Sequence, residues 1–209
     1  MEPADLLRKG LDQLDLPSSP SLVCAFMTYL AELKKWNKTY NLTGLRTDED
    51  IVIKHFLDSL LYLKVMPEEA ASIADVGTGA GFPGLPIKIM RPEIVLYLIE
   101  SSGKKCAFLR HITRRLEIES AFIIEKRVEN IRSAQEMTAV DAAVTRALFT
   151  VNEFLEKASH VVRPGGFLVL SKGPKVTEEL KALGDVKSEV TVFKLPLTDI
   201  KRFLVVLKL

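Results

Sequence analysis

The chain has 209 residues, of which 47% are hydrophobic, and this suits one domain or one domain with a helical extension. Its formal net charge is only +2, which excludes a strongly basic overall field, so any binding to nucleic acid requires a local basic patch. The start, MEPAD, is acidic where a signal peptide is basic, and residues 16–31 contain two prolines and several polar residues. We therefore expect neither a leader nor a membrane span there.

The two cysteines, Cys24 and Cys106, lie far apart in apolar helical contexts. We expect both to be reduced residues of the core. Such cysteines favour a reducing compartment, so the predicted location is cytoplasmic.

The first third of the chain carries helical patterns. Residues 19–36 place apolar side chains at the spacing of one helical face: Leu22, Phe26, Tyr29, Leu30 and Leu33. Residues 48–65 repeat such a pattern, with Thr47 or Asp48 as the predicted N-cap. No strand pattern precedes Ser72, so we predict a helical cap over residues 1–66.

The rest of the chain alternates between strand and helix patterns. The predicted strands are residues 72–76, 95–100, 121–125, 141–145 and 167–172, with helical stretches between them, the weakest at 128–134. Two further strands, VTVFKLPL and RFLVVLKL, are separated by too few residues for a parallel crossover and should pair antiparallel. By analogy of layout, residues 67–209 are predicted to form the α/β, Rossmann-like sheet of class I S-adenosylmethionine (SAM)-dependent methyltransferases, mostly parallel with an antiparallel C-terminal strand.

A glycine-rich segment, IADVGTGAGFPG, follows the first predicted strand. Gly77, Gly79 and Gly81 would let a ligand approach the main chain, and Glu100 ends the second strand where a carboxylate can accept hydrogen bonds from ribose hydroxyls. Asp75 either contacts amides of this loop or simply completes the strand. The pattern predicts a nucleotide-like ligand at the carboxyl edge of the sheet.

A dinucleotide site is the rival interpretation, because residues 79–84 also spell GxGxxG. Two features oppose it. None of the four tyrosines has a lysine four residues later, as a short-chain dehydrogenase requires, and the chain is short for two nucleotide-binding halves plus a substrate domain. SAM needs a close backbone and a ribose partner, but no pyrophosphate cradle.

Several segments together resemble one family. KWNKTYNLTGLR, DVGTGAGFPGLPIKIMRPE, SSGKKCAFLR, TRAL and the closing RFLVVLKL are similar to the bacterial 16S rRNA guanine-N7 methyltransferase family, RsmG, from about Trp36 to the C-terminus. The resemblance implies transfer of a methyl group from SAM to N7 of a guanosine in the decoding-region loop of 16S rRNA. It also implies a partner, the small ribosomal subunit or its precursor.

The resemblance assigns roles to individual residues of the predicted cofactor site. Gly77 and its loop would contact the methionine half of SAM, and Phe82 would lie beside the cofactor. Val128 and Glu129 match the pair that lines the adenine. Arg146 matches an arginine between cofactor and substrate, for which a structural salt bridge is the alternative role.

The chemistry of N7 methylation requires no general base, because this nitrogen already carries an exposed lone pair. The enzyme must align N7 with the methyl carbon and the departing sulfur, and it must exclude water. Arg146 is the predicted positioning residue. The sequence lacks the motifs of exocyclic-amine and cytosine-C5 methylation. His55, His111 and His160 lack metal-ligand spacing, so no metal is predicted, and each is interpreted as a helix-surface or capping histidine.

RNA contacts are predicted mainly on one helix after the second strand. Its basic residues are either solvated surface or a phosphate-binding face that includes Lys104, Lys105, Arg114 and Arg115. Lys172, at the end of the fifth strand, either contacts phosphate or is solvated. Trp36 and Tyr40 either stack on RNA or pack against the domain.

Two other functions stay open on the sequence. One is a SAM-dependent methyltransferase with a different substrate. The other is a non-catalytic, ribosome-associated protein that keeps the fold. Binding of SAM separates the second from the main interpretation, and methyl transfer to ribosomal subunits separates the first.

Overall fold

A seven-stranded sheet forms the centre of the molecule. The computed structural model describes residues 1–132, 135–174, 176–180 and 186–209. The spatial order of the strands is β3-β2-β1-β4-β5-β7-β6. The strands are β1 Ser72–Val76, β2 Val95–Ile99, β3 Ala121–Ile124, β4 Val140–Arg146, β5 Val162–Lys172, β6 Ser188–Lys194 and β7 Lys201–Lys208.

Strands β1 to β5 are parallel, and β7 pairs antiparallel with both β5 and β6. The predicted fold, a mostly parallel Rossmann-like sheet with an antiparallel C-terminal strand, is confirmed. The start of one strand differs clearly from the prediction, because β5 begins at Val162 rather than at residue 167. The extra residues include Pro164, Gly165 and Gly166, which masked the strand pattern in the sequence.

The crossover helices are α5 Gly84–Met90, α6 Gly103–Arg115, α7 Val151–Ala158 and α8 Val176–Leu180. Between β3 and β4, the described residues form a single 3₁₀ turn, Val128–Asn130, instead of the longer helix predicted over residues 128–134. Two residues of that predicted helix, 133 and 134, lie outside the described residues.

The N-terminal region is helical, as predicted. Helix α1 covers Pro3–Gln13 and α2 covers Pro20–Tyr40. The next helical segment begins at the N-cap Thr47, whose side chain accepts a hydrogen bond from the amide of Asp50. Its successive parts are α3 Asp48–Ile51, a π-helical turn Val52–Leu57, α4 Asp58–Leu60 and a 3₁₀ turn Leu61–Lys64.

The N-terminal helices and one face of the sheet share a single hydrophobic core. Tyr29 and Phe56 pack at 5.3 Å between ring centroids, and Tyr29 also stacks on Phe82 and Phe108 of the following region. The boundary at residue 66 stays a prediction, because shared packing does not show whether either part folds alone. Cys106 is buried as expected, whereas Cys24 is exposed because it lies on the outer face of α2.

Tyr62 links the N-terminal helical region to the sheet by hydrogen bonds, so replacing it should lower the stability of the fold. Its buried hydroxyl donates to the carbonyl of Thr145 and accepts from the amide of Ser171 at 3.0 Å. Tyr62→Phe should lower the free energy of unfolding by about 2 kcal/mol, because two buried backbone groups lose their partner. Urea unfolding measures this loss. The exposed control Tyr40→Phe should change it by less than about 0.5 kcal/mol, and an equal effect of the two would contradict the role of Tyr62.

Candidate active site at the carboxyl edge of the sheet

The glycine loop turns sharply between β1 and α5. Gly77 and Gly79 have φ of 69° and 62°, in the left-handed region that glycine adopts without strain. A Cβ on Gly77 would collide with the side chain of Leu148, and one on Gly81 would lie 2.5 Å from Leu85 and from the hydroxyl of Tyr29. The positive φ favours glycine at Gly77, and at Gly81, whose φ is 101°, close packing adds to that preference.

Asp75 holds this loop in place through two hydrogen bonds. Its Oδ2 accepts hydrogen bonds from the Thr78 hydroxyl at 2.6 Å and from the amide of Gly84 at 2.7 Å. Oδ1 is buried and has no hydrogen-bond partner within the described residues. Burial raises the pKa of Asp75 to about 7. Of the two interpretations that the sequence allowed, contact with the loop is the correct one.

Glu100 supports the loop from the neighbouring strand. Its Oε2 accepts a hydrogen bond from the amide of Gly79 at 3.0 Å, and its Oε1 accepts one from the amide of Ser102 at 2.9 Å. The ammonium of Lys105 lies 3.7 Å from Oε2. An ionised carboxylate has about four acceptor positions, so capacity for a ligand hydroxyl is left.

A first cleft of about 320 Å³ opens beside Glu100. Its lining brings together four of the residues predicted to bind the cofactor: Gly77, Glu100, Val128 and Glu129. The predicted residues Gly79, Gly81 and Phe82 are not part of this lining. Phe82 is 5% exposed and packs under the loop between the rings of Tyr29 and His55.

A second cleft of about 520 Å³ adjoins the first. Lys54, Asp58, Arg146, Lys172 and Arg202 contribute to its walls. Leu148 and Phe149 line both clefts, so a ligand in the first would meet a ligand in the second at these residues. Sequence reasoning gave no role to Leu148 and Phe149, although they lie two and three residues after the predicted Arg146 at the end of β4.

Arg146 stands at the inner end of the second cleft. Its Nη1 donates to the carbonyl of Lys54 at 2.9 Å, and its Nη2 lies 2.7 Å from Nδ1 of His55. The same Nη1 lies 3.6 Å from Asp58, whose other oxygen accepts from Arg202 at 2.8 Å. Burial raises the pKa of Asp58, and the two arginines oppose that shift. Arg146 is therefore held from several sides in the lining of the second cleft.

The histidines differ from the sequence interpretation in one case. His111 pairs with Glu32 at 2.7 Å, and His160 contacts the carbonyl of Val128 at 3.2 Å, so both lie on partly exposed helical surfaces. His55 is neither a surface nor a capping residue. It lies in the π-helical turn with its ring between Arg146 and the stacked Phe82.

The predicted RNA-binding residues fall into separate groups. Lys104 and Lys105 begin α6 beside the first cleft, whereas Arg114 and Arg115 end that helix, roughly 15 Å further along its axis. Lys172 is mostly buried: its ammonium donates to the carbonyl of Phe149 at 2.9 Å and pairs with Glu179.

Of the two aromatic residues near the end of α2, Trp36 packs against the domain and Tyr40 is exposed. Trp36 contacts Phe108 at 5.6 Å and His111 at 5.0 Å between ring centroids. Tyr40 leans on Trp36 and is 43% exposed. Packing against the domain is thus the role of Trp36.

Within the described ranges, no group of three or more histidine, cysteine, aspartate or glutamate side chains is arranged to hold a metal ion. Over the same part of the chain, every helix is too short or too polar to cross a bilayer.

Comparison with known proteins identifies the family. The family model described as rRNA small subunit methyltransferase G (GidB) matches residues 23–202. The chain belongs to this family. Ribosomal RNA small subunit methyltransferase G of Xanthomonas oryzae pv. oryzae (strain KACC10331 / KXO85) is 40% identical over 205 residues, which cover 97% of this chain and 93% of that protein. As a member of the family, the chain is a SAM-dependent methyltransferase of small-subunit rRNA.

Solved structures agree on the fold. A putative O-methyltransferase from Klebsiella pneumoniae is similar with a TM-score of 0.61 and 13% identity, over 95% of this chain and 93% of that one. M. jannaschii TYW2 in complex with AdoMet is similar with a TM-score of 0.56 and 15% identity, over 73% of this chain and 74% of that one.

Proposed function

We propose that this member of the methyltransferase G family transfers the methyl group of SAM to N7 of a guanosine in the decoding-region loop of 16S rRNA. Its partner is the small ribosomal subunit or a precursor of it, and its place of action is the cytoplasm. The observation that carries the proposal is the pair of adjoining clefts, which share Leu148 and Phe149, with Arg146 in the lining of the second. One cleft suits the cofactor, and the other suits a nucleotide inserted beside it.

The first cleft has contacts that suit SAM. Gly77 is in its lining, and Glu100, also in the lining, has acceptor capacity left for ribose hydroxyls. Val128 and Glu129 offer an apolar and an acidic contact for the adenine. SAM, when bound, supplies an electrophilic methyl group on a positively charged sulfur.

The protein's own contribution is mainly orientation. Arg146 aligns the guanine at the boundary of the clefts, and Leu148 and Phe149 exclude water between them. Since N7 carries a free lone pair, no side chain has to remove a proton before transfer.

The decisive experiment supplies methyl-labelled SAM and small ribosomal subunits that lack this modification, and then maps the labelled base. Label at N7 of one guanosine of the decoding region is the expected result. Label elsewhere would support a different substrate, and binding of SAM without any transfer would support a different acceptor. Absence of SAM binding would support the non-catalytic alternative.

The RNA surface proposed on α6 predicts a change in salt dependence. Each phosphate that is neutralised contributes about −0.7 to −0.9 to the slope of log K against log salt. Replacing Arg114 and Arg115 with alanine should flatten the slope for small subunits by roughly one to two units without changing SAM affinity. Replacing Lys104 and Lys105 with alanine should also flatten the slope if that end of α6 faces the RNA, but Lys105 lines the first cleft, so this pair is read from the slope alone.

Filter binding across a salt series measures these slopes. Arg8→Ala with Lys9→Ala removes two exposed charges from α1 and serves as the control for net charge alone. If replacing one of the α6 pairs leaves the salt slope equal to that of the parent protein, that pair is solvated surface and does not contact RNA. Because the two pairs are so far apart on α6, the comparison tells which end of the helix faces the RNA.

A further inference from the structure

His55 has no task in the proposed reaction, yet it is the histidine that contacts Arg146, and it is enclosed between the N-terminal region and the sheet. Its Nδ1 lies 2.7 Å from Nη2 of Arg146, and its Nε2 lies 2.7 Å from the hydroxyl oxygen of Thr43. Its ring stacks on Phe82 at 4.3 Å with an interplanar angle of 12°.

The partners of His55 determine its tautomer. A guanidinium has only donors, so Nδ1 must accept the hydrogen bond from Arg146, and the proton of the neutral ring is on Nε2. Nε2 then donates to Thr43, whose oxygen also accepts from the amide of Leu45 at 3.1 Å. Burial, followed by the positive charge of Arg146, lowers the pKa of His55 to about 3, so the ring stays neutral near pH 7.

Thr43 is itself fixed by Asn37, at the end of α2. The Asn37 carboxamide donates to the carbonyl of Thr43 at 3.0 Å and accepts from its amide at 2.9 Å. Asn37 is buried, so this two-point contact is protected from water. A continuous path of hydrogen bonds thus runs from Asn37 through Thr43 and His55 to Arg146.

The path ends beneath the glycine loop. The guanidinium carbon of Arg146 lies 5.3 Å from the centre of the Phe82 ring, the same ring on which His55 stacks. Phe82 and the carbonyl of Lys54 contact the guanidinium of Arg146 on two sides. His55 supplies the acceptor that fixes how the plane of this guanidinium is rotated.

We propose that His55 is a positioning residue for methyl transfer, which orients Arg146 through Nδ1 while Thr43 fixes the ring and its tautomer. This inference rests on the proposed function. His55 acts only through Arg146 and contacts neither cofactor nor guanine, so its loss should slow transfer without weakening SAM binding.

The test is a double-mutant cycle of His55→Leu and Arg146→Ala, read out as single-turnover transfer at saturating SAM and small subunits. We expect His55→Leu to slow transfer by roughly 10- to 100-fold and to leave the SAM dissociation constant within about threefold of the parent value. The double variant should be no slower than Arg146→Ala alone. Effects that multiply in the double variant would show that His55 works independently of Arg146 and would overturn the inference.

A second set of variants keeps the test valid if His55→Leu does not fold. Thr43→Val keeps the shape of the side chain and removes the hydroxyl, so it should slow transfer, whereas Thr43→Ser should keep the parent rate. Nitrogen-15 spectra of histidine at pH 7 should show the proton of His55 on Nε2, and a proton on Nδ1 would contradict the proposal. If the unmodified protein transfers no methyl group, the proposed function and this inference both fail. If it does transfer methyl, but the rate losses of His55→Leu and Arg146→Ala multiply in the double variant, only the inference fails.

Discussion

Arg146→Ala should slow methyl transfer to small ribosomal subunits by roughly 100- to 1,000-fold, even when both SAM and subunits are saturating. Arg146 is proposed to orient the guanine against the methyl group, and a misplacement of about 1 Å at a reacting centre already costs on the order of 100-fold. Arg146 contributes to the second cleft and is absent from the lining of the first, so SAM affinity should change little. Single-turnover rates and titration calorimetry measure the two quantities separately.

The Arg146 variant needs a control for structure, because Asp58 loses one of its two cationic neighbours. Arg202 still contacts Asp58 at 2.8 Å, so we expect the fold to survive. Circular dichroism and thermal unfolding check this. Arg146→Lys keeps the charge without the planar fork and should recover only part of the rate. Transfer by Arg146→Ala at the parent rate would leave only the salt bridge to Asp58 as the role of Arg146.

Gly79→Asp should weaken SAM binding by at least about 100-fold while the protein stays folded. Gly79 has a φ of 62°, a left-handed conformation that aspartate tolerates better than most residues, and a Cβ there would meet no atom within 4 Å. The new carboxylate would stand next to Glu100, which already accepts the hydrogen bond of the Gly79 amide. It would add negative charge and bulk where the carboxylate of a methionine group must approach the main chain.

A matched control exists in the same chain. Gly165 also has a positive φ, of 77°, and equal room for a Cβ, but it lies in the first half of β5, far from the carboxyl edge. Gly165→Asp should bind SAM like the parent protein in titration calorimetry. If the two variants bind SAM equally well, the glycine loop is not the cofactor site.

The fold was predictable because it depends on patterns that are local in the chain. Alternating strand and helix periodicity identified the parallel sheet, and the short gap between the last two strands identified the antiparallel pair. The 3₁₀ turn at Val128–Asn130 was missed because a few apolar residues fit a short helix as well as a turn.

Residue patterns alone predicted Gly77 and Glu100, because the carboxyl ends of parallel strands meet at one edge of the sheet. Val128, Glu129 and Arg146 were predicted from the family resemblance. The role of Phe82 beside the cofactor stays a prediction, and no sequence pattern indicated that its ring would stack on Tyr29 of α2. His55 was missed because its partner Arg146 lies 91 residues away, and helical periodicity carries no information about such a contact.

The tyrosines of the N-terminal helices connect cofactor occupancy to the folding of that region. Tyr29 donates its hydroxyl to the carbonyl of Ala80 in the glycine loop, and Tyr62 donates to Thr145 at the end of β4. A ligand that holds the loop in place must therefore also oppose local opening of α2, because opening α2 would strip a buried carbonyl of its partner. Amide hydrogen exchange in α2 should slow when SAM binds, although no residue of α2 lines the cleft.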